Sequence, residues 1–177
     1  MRIDSDIKLD YKDVLIRPKR STLSSRKQVQ LERGFTFRNY QPDFPDNIKH
    51  KHYRGVPIMA SNMDGVGTFA MADKLAEGDI FTCLVKTYSV EQLVEYFNSN
   101  IPERTENVAM SIGTGTIDFD KLEAVYNKVS KLKYVCMDIA NGYSDHFAQH
   151  VRKVREAFPH LVIIAGNVVT GEMTEEL

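Results

Sequence analysis

Hydrophobic and polar positions alternate in two regimes along this chain. From residue 56 onward, short apolar runs separate segments whose apolar residues recur at helical spacing. Val56–Ser61, Ile80–Val85, Asn107–Ile112, Tyr134–Asp138 and Leu161–Ala165 read as buried strands, because they are apolar without alternation. Between them lie amphipathic segments. Thr68–Glu77 carries Phe69, Ala72, Leu75 and Ala76, and Gly78 is expected to stop it. Ser89–Asn100 opens on an N-cap serine, with Gln92 giving a partial capping box. Asp118–Ser130 aligns Phe119, Leu122, Val125 and Val129; Tyr143–Phe158 aligns Phe147, Val151, Val154 and Phe158, and Pro159 closes it. A last segment starts at the N-cap candidate Thr170 and places Met173 and Leu177 one turn apart. Strand and helix thus alternate with short loops, which predicts parallel strands joined by crossover helices.

Residues 1–55 lack this regularity. Val14-Leu15-Ile16, ended by Pro18, predicts a strand or an arm packed on the domain. Gln41–Gly55 reads as a polar loop in which His50 and His52 are solvated. The domain boundaries expected are therefore an arm and loop over 1–55 and the β-α region over 56–177.

Polar or glycine residues gather where the parallel strands end: Asn62-Met63-Asp64-Gly65, Lys86-Thr87, Gly113-Thr114-Gly115, Asp138 and Gly166-Asn167. In parallel α/β folds that edge carries the chemistry. About five β-α units fit either an open doubly wound sheet or part of an eight-stranded barrel. The segment Asn62–Gly67 holds a single G-x-G, too little for a dinucleotide fingerprint.

Composition narrows the classes. Apolar residues are 42% and charged residues 27% of 177, with a net charge of −1. No global field favours nucleic acid or an acidic membrane, and no apolar run reaches membrane-spanning length. The charged N-terminus lacks a secretory h-region, so a cytoplasmic protein is expected. Cys83 and Cys136 sit in strand segments and are expected to be buried, reduced and inert. The last amphipathic helix is about two turns long when the sequence stops, which leads us to expect a piece of a longer domain.

The stretches KLDYKDVLIRPKRSTLSSR, VPIMASNMDGVGTFAMA, VCMDIANGYSDHF and IIAGNVVTGEM closely resemble the N-terminal half of the GMP reductase branch of the IMP dehydrogenase/GMP reductase family. The resemblance covers nearly the whole chain. It implies the first five or so β-α units of a TIM (β/α)8 barrel, preceded by an N-terminal arm. Residues 99–106 leave no room for the CBS module that IMP dehydrogenases usually insert there, so the reductase branch fits better. The activity implied is NADPH-dependent reductive deamination of GMP to IMP and ammonia. In the family a loop cysteine attacks purine C2 and expels ammonia before hydride arrives from NADPH. That loop, of the form GIGPGSxCTT, is expected beyond Leu177, as are the phosphate loops and the K+ that orders the cysteine loop. No catalytic residue and no metal ligand is therefore assigned within residues 1–177. The resemblance further implies GMP/IMP and NADPH as partners and a homotetramer when complete.

Carried over position by position, the resemblance assigns cofactor contacts to six residues. Lys86 matches a cofactor-side lysine, although VKTYS here replaces the usual HKHYS. Asp138 matches an aspartate on the nicotinamide ribose, a task suited to an acceptor-only carboxylate. Ile139 and Ala140 would line the nicotinamide, and Asn141-Gly142 would turn the chain away. Ser25 and Arg26 match a pair that reaches the NADPH of a neighbouring subunit, where a guanidinium suits a 2′-phosphate. Asn62, Met63 and Asp64 would lie near the purine, with SNMDG in place of ANMDT. Gly113, Gly115, Gly166 and Asn167 are read as turn residues, and His146 as structural. Two other readings stay open: a half-barrel that binds or assembles through open strand edges, and an IMP dehydrogenase-like enzyme.

Overall fold

The computed structural model describes residue 7, residues 9–37 and residues 52–177. The chain divides into two units, Met1–Gln30 and Leu31–Leu177.

In the first unit the described residues form two single 3-10 turns, Tyr11–Asp13 and Arg26–Gln28. Each is capped from outside. Asp10 accepts from the Tyr11 N–H at 2.7 Å, and Ser25 Oγ accepts from the Lys27 N–H at 3.3 Å. Of the strand or arm expected for Val14–Ile16, the strand does not form. Leu15 and Ile16 are 97% and 98% exposed, since no partner strand lies alongside among the described residues.

The second unit is built on a six-stranded sheet: β1 Arg33–Thr36, β2 His52–Ala60, β3 Ile80–Cys83, β4 Val108–Ile112, β5 Tyr134–Asp138 and β6 Val162–Gly166. The spatial order is β1-β2-β3-β4-β5-β6. β1 is antiparallel to β2, and every later pair is parallel. Among the described residues six helices accompany it: α1 Phe69–Ala76, α2 Val90–Phe97, α3 Glu103–Glu106, α4 Thr116–Lys128, α5 Asp145–Ala157 and α6 Gly171–Glu176. Neither β1 nor the single-turn α3 was expected, because four residues are too few to show a period. The polar loop expected over 41–55 is strand from His52 onward, where His52 Nδ1 lies 3.0 Å from Thr36 Oγ1. His50 lies outside the described residues.

Residue alternation along the strands sorts two cores. Leu84, Val108, Met110, Ile112, Val135 and Met137 point to one side. There they meet Ala72 of α1, Leu93 and Phe97 of α2, Leu122 and Val125 of α4, and Phe147, Val151 and Val154 of α5. Phe81, Cys83, Ala109, Tyr134, Cys136 and Val162 point to the other side, with Tyr53, and among the described residues no helix contributes there. Burial on both faces is why these strands read as unbroken apolar runs. Helices on one face and strands in sequential order are the winding of a barrel. A doubly wound sheet would reverse its strand order and cover both faces.

Local chemistry fixes the helix ends. Ser89 and Gln92 cap reciprocally, with Ser89 N–H donating to Gln92 Oε1 at 2.9 Å and Gln92 N–H donating to Ser89 Oγ at 3.3 Å. The capping box at α2 is thus complete. After α1 the left-handed residue is Asp79 (φ 55°), one place beyond the glycine expected to supply the stop. The corner of α1, α2 and α3 is tied by Asp73, which accepts both guanidinium arms of Arg104 at 2.9 and 2.8 Å and the Tyr96 hydroxyl at 2.9 Å. Among the described residues, no helix is long and apolar enough to cross a membrane.

Candidate functional site

The strand order places the tips of β2, β3, β5 and β6 around one open pocket of about 320 Å³. Ser61 and Asn62 enter from the end of β2, Cys83 from β3, and Cys136 and Asp138 from β5. Gly166 and Asn167 enter from the end of β6. Asp138 closes β5 opposite Gly166. Its Oδ1 accepts from the Asn167 amide at 3.2 Å, and the same amide donates to the Ile139 carbonyl at 3.0 Å. Among the described residues nothing donates to the second carboxylate oxygen.

The loops after β5 and β6 are closed onto each other. Gly142 N–H donates to the Asn167 carbonyl at 2.9 Å. A Cβ at Gly142 would stand 2.7 Å from that oxygen and 2.7 Å from Val168 Cγ1, so the approach requires glycine. Asn141 Oδ1 accepts from the Tyr143 N–H at 3.1 Å, an Asx turn. The Tyr143 hydroxyl then accepts from the N–H groups of Val169 and Thr170 at 2.8 and 3.0 Å. The Thr170 side chain first, then the Val169 and Thr170 amides, hold the Tyr143 pKa below the ordinary tyrosine value. Thr170 in turn caps α6. Asn167 and Tyr143 are therefore the residues that orient the site. The family resemblance gave Asn167 only a turn role and left Tyr143 without one. The G-N and N-G pairs at the two strand ends were the visible signal.

The expected site residues divide. Asp138 and Asn62 share the pocket. Met63 and Asp64 lie in the exposed turn just beyond Asn62, closed by Val66 and Gly67 N–H groups donating to the Met63 carbonyl at 3.0 and 2.9 Å. Ala140 is exposed, while Ile139 is half-buried against the helix-side core. Lys86 lies exposed in the turn after β3, and its carbonyl accepts from Lys121 Nζ at 2.8 Å. Lys86 is not part of the pocket wall. Burial lowers the Lys121 pKa. Ser25 and Arg26 belong to the first unit, as N-cap and first residue of its second 3-10 turn. His146 lies on α5, exposed, its ring 6.3 Å from that of buried His150. Gly113 and Gly115 flank the loop before α4, where Gly115 N–H donates to Asp118 Oδ2 at 3.3 Å. Both cysteines are free and buried.

Comparison with known proteins agrees with this geometry. The family model described as "IMP dehydrogenase / GMP reductase domain" matches residues 8–177. The chain is 53% identical to GMP reductase 2 of Bos taurus, over 99% of this chain and 47% of that protein. It is 51% identical to a GMP reductase of Escherichia coli O81 (strain ED1a), over 100% of this chain and 48% of that protein. The chain thus spans about half the length of the curated relatives it matches. Among solved structures, the inosine 5′-monophosphate dehydrogenase of Legionella pneumophila superposes with a TM-score of 0.73 at 18% identity, over 93% of this chain and 46% of that one. That likeness fixes the fold as part of a TIM barrel. From the winding of the sheet, the strand-end pocket and the match over residues 8–177, this chain belongs to the IMP dehydrogenase/GMP reductase family.

Proposed function

We propose that this chain forms the cofactor side of an NADPH-dependent enzyme that reductively deaminates GMP to IMP and ammonia. The observation that carries the reading is the Asp138–Asn167 pair. Asn167 occupies one carboxylate oxygen and fixes the plane of the other at the rim of the pocket. An ionised carboxylate held this way accepts hydrogen bonds and donates none, which fits the hydroxyls of a nicotinamide ribose. The residues therefore fit that part of the cofactor. When bound, NADPH supplies the hydride that reduces purine C2.

This chain's own residues bind and orient. Asp138 holds the ribose edge and Asn167 positions Asp138. Asn62 faces the same pocket from β2 and presents an amide toward the purine side. Lys86, exposed in the turn after β3 and free of ion pairs among the described residues, offers a cation to the cofactor or to departing ammonia. Ser25 and Arg26 suit a 2′-phosphate presented by a neighbouring subunit in a homotetramer. The nucleophilic cysteine is not among residues 1–177. Cys83 and Cys136 line the pocket but are only 2% and 8% exposed. The neighbouring Cys136 thiol, and then burial, also push the Cys83 thiol well above its ordinary range, which disfavours a nucleophilic thiolate there.

The test is a chimera of residues 1–177 with the C-terminal remainder of the 51% identical E. coli reductase. It should oxidise NADPH only when GMP is supplied, and Asp138→Ala should lower kcat/KM by at least about tenfold. A soluble chimera that ignores GMP, or that oxidises IMP with NAD+ instead, overturns the reading.

A further inference from the structure

The turn that carries Lys86 lacks the usual backbone closure. Among the described residues no backbone–backbone hydrogen bond is made by Lys86, Thr87 or Tyr88. The last one before them runs from the Val85 N–H to the Gly67 carbonyl at 2.8 Å. The next is the Leu93 N–H donating to the Ser89 carbonyl at 3.1 Å, as α2 opens. Between those points two side chains grip the main chain. One is Tyr88 itself. Its hydroxyl accepts from the Phe69 N–H at 3.2 Å, and its ring stacks on Phe69 with centroids 3.8 Å apart. Phe69 stacks in turn on Tyr96, beneath the Arg104 guanidinium. That end of the turn is therefore anchored to the corner of α1, α2 and α3.

The other grip is Lys121. Its Nζ reaches from α4 and donates to the Lys86 carbonyl at 2.8 Å. Lys121 is half-buried, so its ammonium has given up part of its water to make the contact. Burial lowers its pKa, and the charge of Asp118 opposes that shift. A hydrogen bond from an ammonium is charge-assisted and stronger than a neutral one. It takes only the main-chain oxygen of Lys86 and leaves that side chain exposed.

We infer that Lys121 is a positioning residue: by fixing the main chain of Lys86 it orders the turn in advance and aims the Lys86 ammonium at the cofactor. This rests on the cofactor contact proposed above for Lys86. The physical basis is preorganisation. A turn without backbone hydrogen bonds of its own opens at low cost, and ordering it on binding subtracts from affinity. Lys121 does that ordering in the free protein. The brace also links two strand tips, because the same helix starts at the loop after β4, where the Gly115 N–H donates to Asp118 Oδ2 at 3.3 Å.

The test uses the chimera with the E. coli remainder. NADPH binding is read by fluorescence without GMP, and hydrogen exchange is read on residues 85–89. Lys121→Met keeps the aliphatic stem and removes the donor. It should speed exchange at residues 86–88 and weaken NADPH binding, each by about fivefold, the worth of one such bond. Lys121→Arg retains a cationic donor and should restore both. Lys86→Met should also weaken NADPH binding, and adding Lys121→Met to it should weaken binding no further, because one residue acts through the other. A general structural role would add its loss in either background. An equal loss from Lys121→Met with and without Lys86 overturns the proposal, and so do unchanged exchange and affinity in Lys121→Met. Unchanged affinity in Lys86→Met overturns it as well, by removing the task for which Lys86 is aimed. A chimera that binds NADPH but ignores GMP counts against the proposed function alone, since no GMP enters this titration.

Discussion

Gly142→Ala offers a direct measure of how tightly the two site loops are locked. The added methyl would sit 2.7 Å from the Asn167 carbonyl oxygen and from Val168 Cγ1, about 0.7 Å inside ordinary contact at 3.4 Å. Val168 can relieve its side by rotating. The Asn167 oxygen belongs to the backbone and already accepts the Gly142 N–H at 2.9 Å, so it can retreat only by stretching that bond. Overpacking of this kind costs about 1–3 kcal/mol, and the strained hydrogen bond about 1 kcal/mol more. The loss of unfolded-chain entropy on going from glycine to alanine offsets about 0.4–1 kcal/mol. The net expectation is destabilisation by about 2 kcal/mol. Urea unfolding followed by circular dichroism reads it directly, and Gly171→Ala supplies the control. Nothing lies within 4 Å of a Cβ at Gly171, the first residue of α6, so that variant should match or exceed wild-type stability. Equal unfolding midpoints for the two variants would show that the loops are not locked and refute the reasoning.

Asn167→Ala in the chimeric enzyme should raise the KM for NADPH more than it lowers kcat, because it frees the Asp138 carboxylate without removing it. Equal effects on both constants would mean that Asn167 acts elsewhere. Asp73→Asn weakens the paired guanidinium contact from Arg104, and should cost about 1.5–3 kcal/mol in the same unfolding assay. His150 is buried, and among the described residues its Nε2 has no hydrogen-bond partner. Burial, then Lys153 and His146, lower its pKa, while Asp118 opposes them. A base with a depressed folded-state pKa leaves stability intact above its ordinary value near 6.5 and loses it as pH falls below that. His150→Phe should therefore stabilise the protein, by a margin that widens from about pH 6.5 downward; a pH-independent difference would contradict the assignment. Lys133, fully buried, donates to Glu106 and to the His52 carbonyl at 2.6 and 2.8 Å, so Lys133→Ala should destabilise by about 3 kcal/mol.

The sequence by itself determined most of the elements and their β-α alternation, while the strand order came from the structure. Unbroken apolar runs such as Tyr134–Met137, bounded by capped amphipathic segments, leave parallel strands and crossover helices as the consistent solution. Local signals also fixed the ends, because a cap such as Ser89 with Gln92 acts within one turn. What escaped were pieces whose stability is not local. β1 is a four-residue strand whose Phe35 stacks on Tyr53, 6.0 Å away, and nothing within four residues announces that partner.

The same division runs through the site. A carboxylate at a strand end and the N-G and G-N turns were visible in the one-dimensional pattern, and the family resemblance gave Asp138 its task. Tertiary structure alone decided which strand tips share a pocket. Asp138 and Asn62 do, whereas Lys86 stands outside it and Ile139 turns into the helix-side core. Only the fold revealed that Asn167, 29 residues from Asp138, holds its carboxylate. It alone brought the Met59 thioether to 3.3 Å from the Cys83 thiol, from the neighbouring strand. The physical reason is range. Propensity, capping and turn chemistry act over a few residues and are written in order along the chain. Strand register acts between residues far apart in sequence, and it sets which side chains meet only once the sheet has formed.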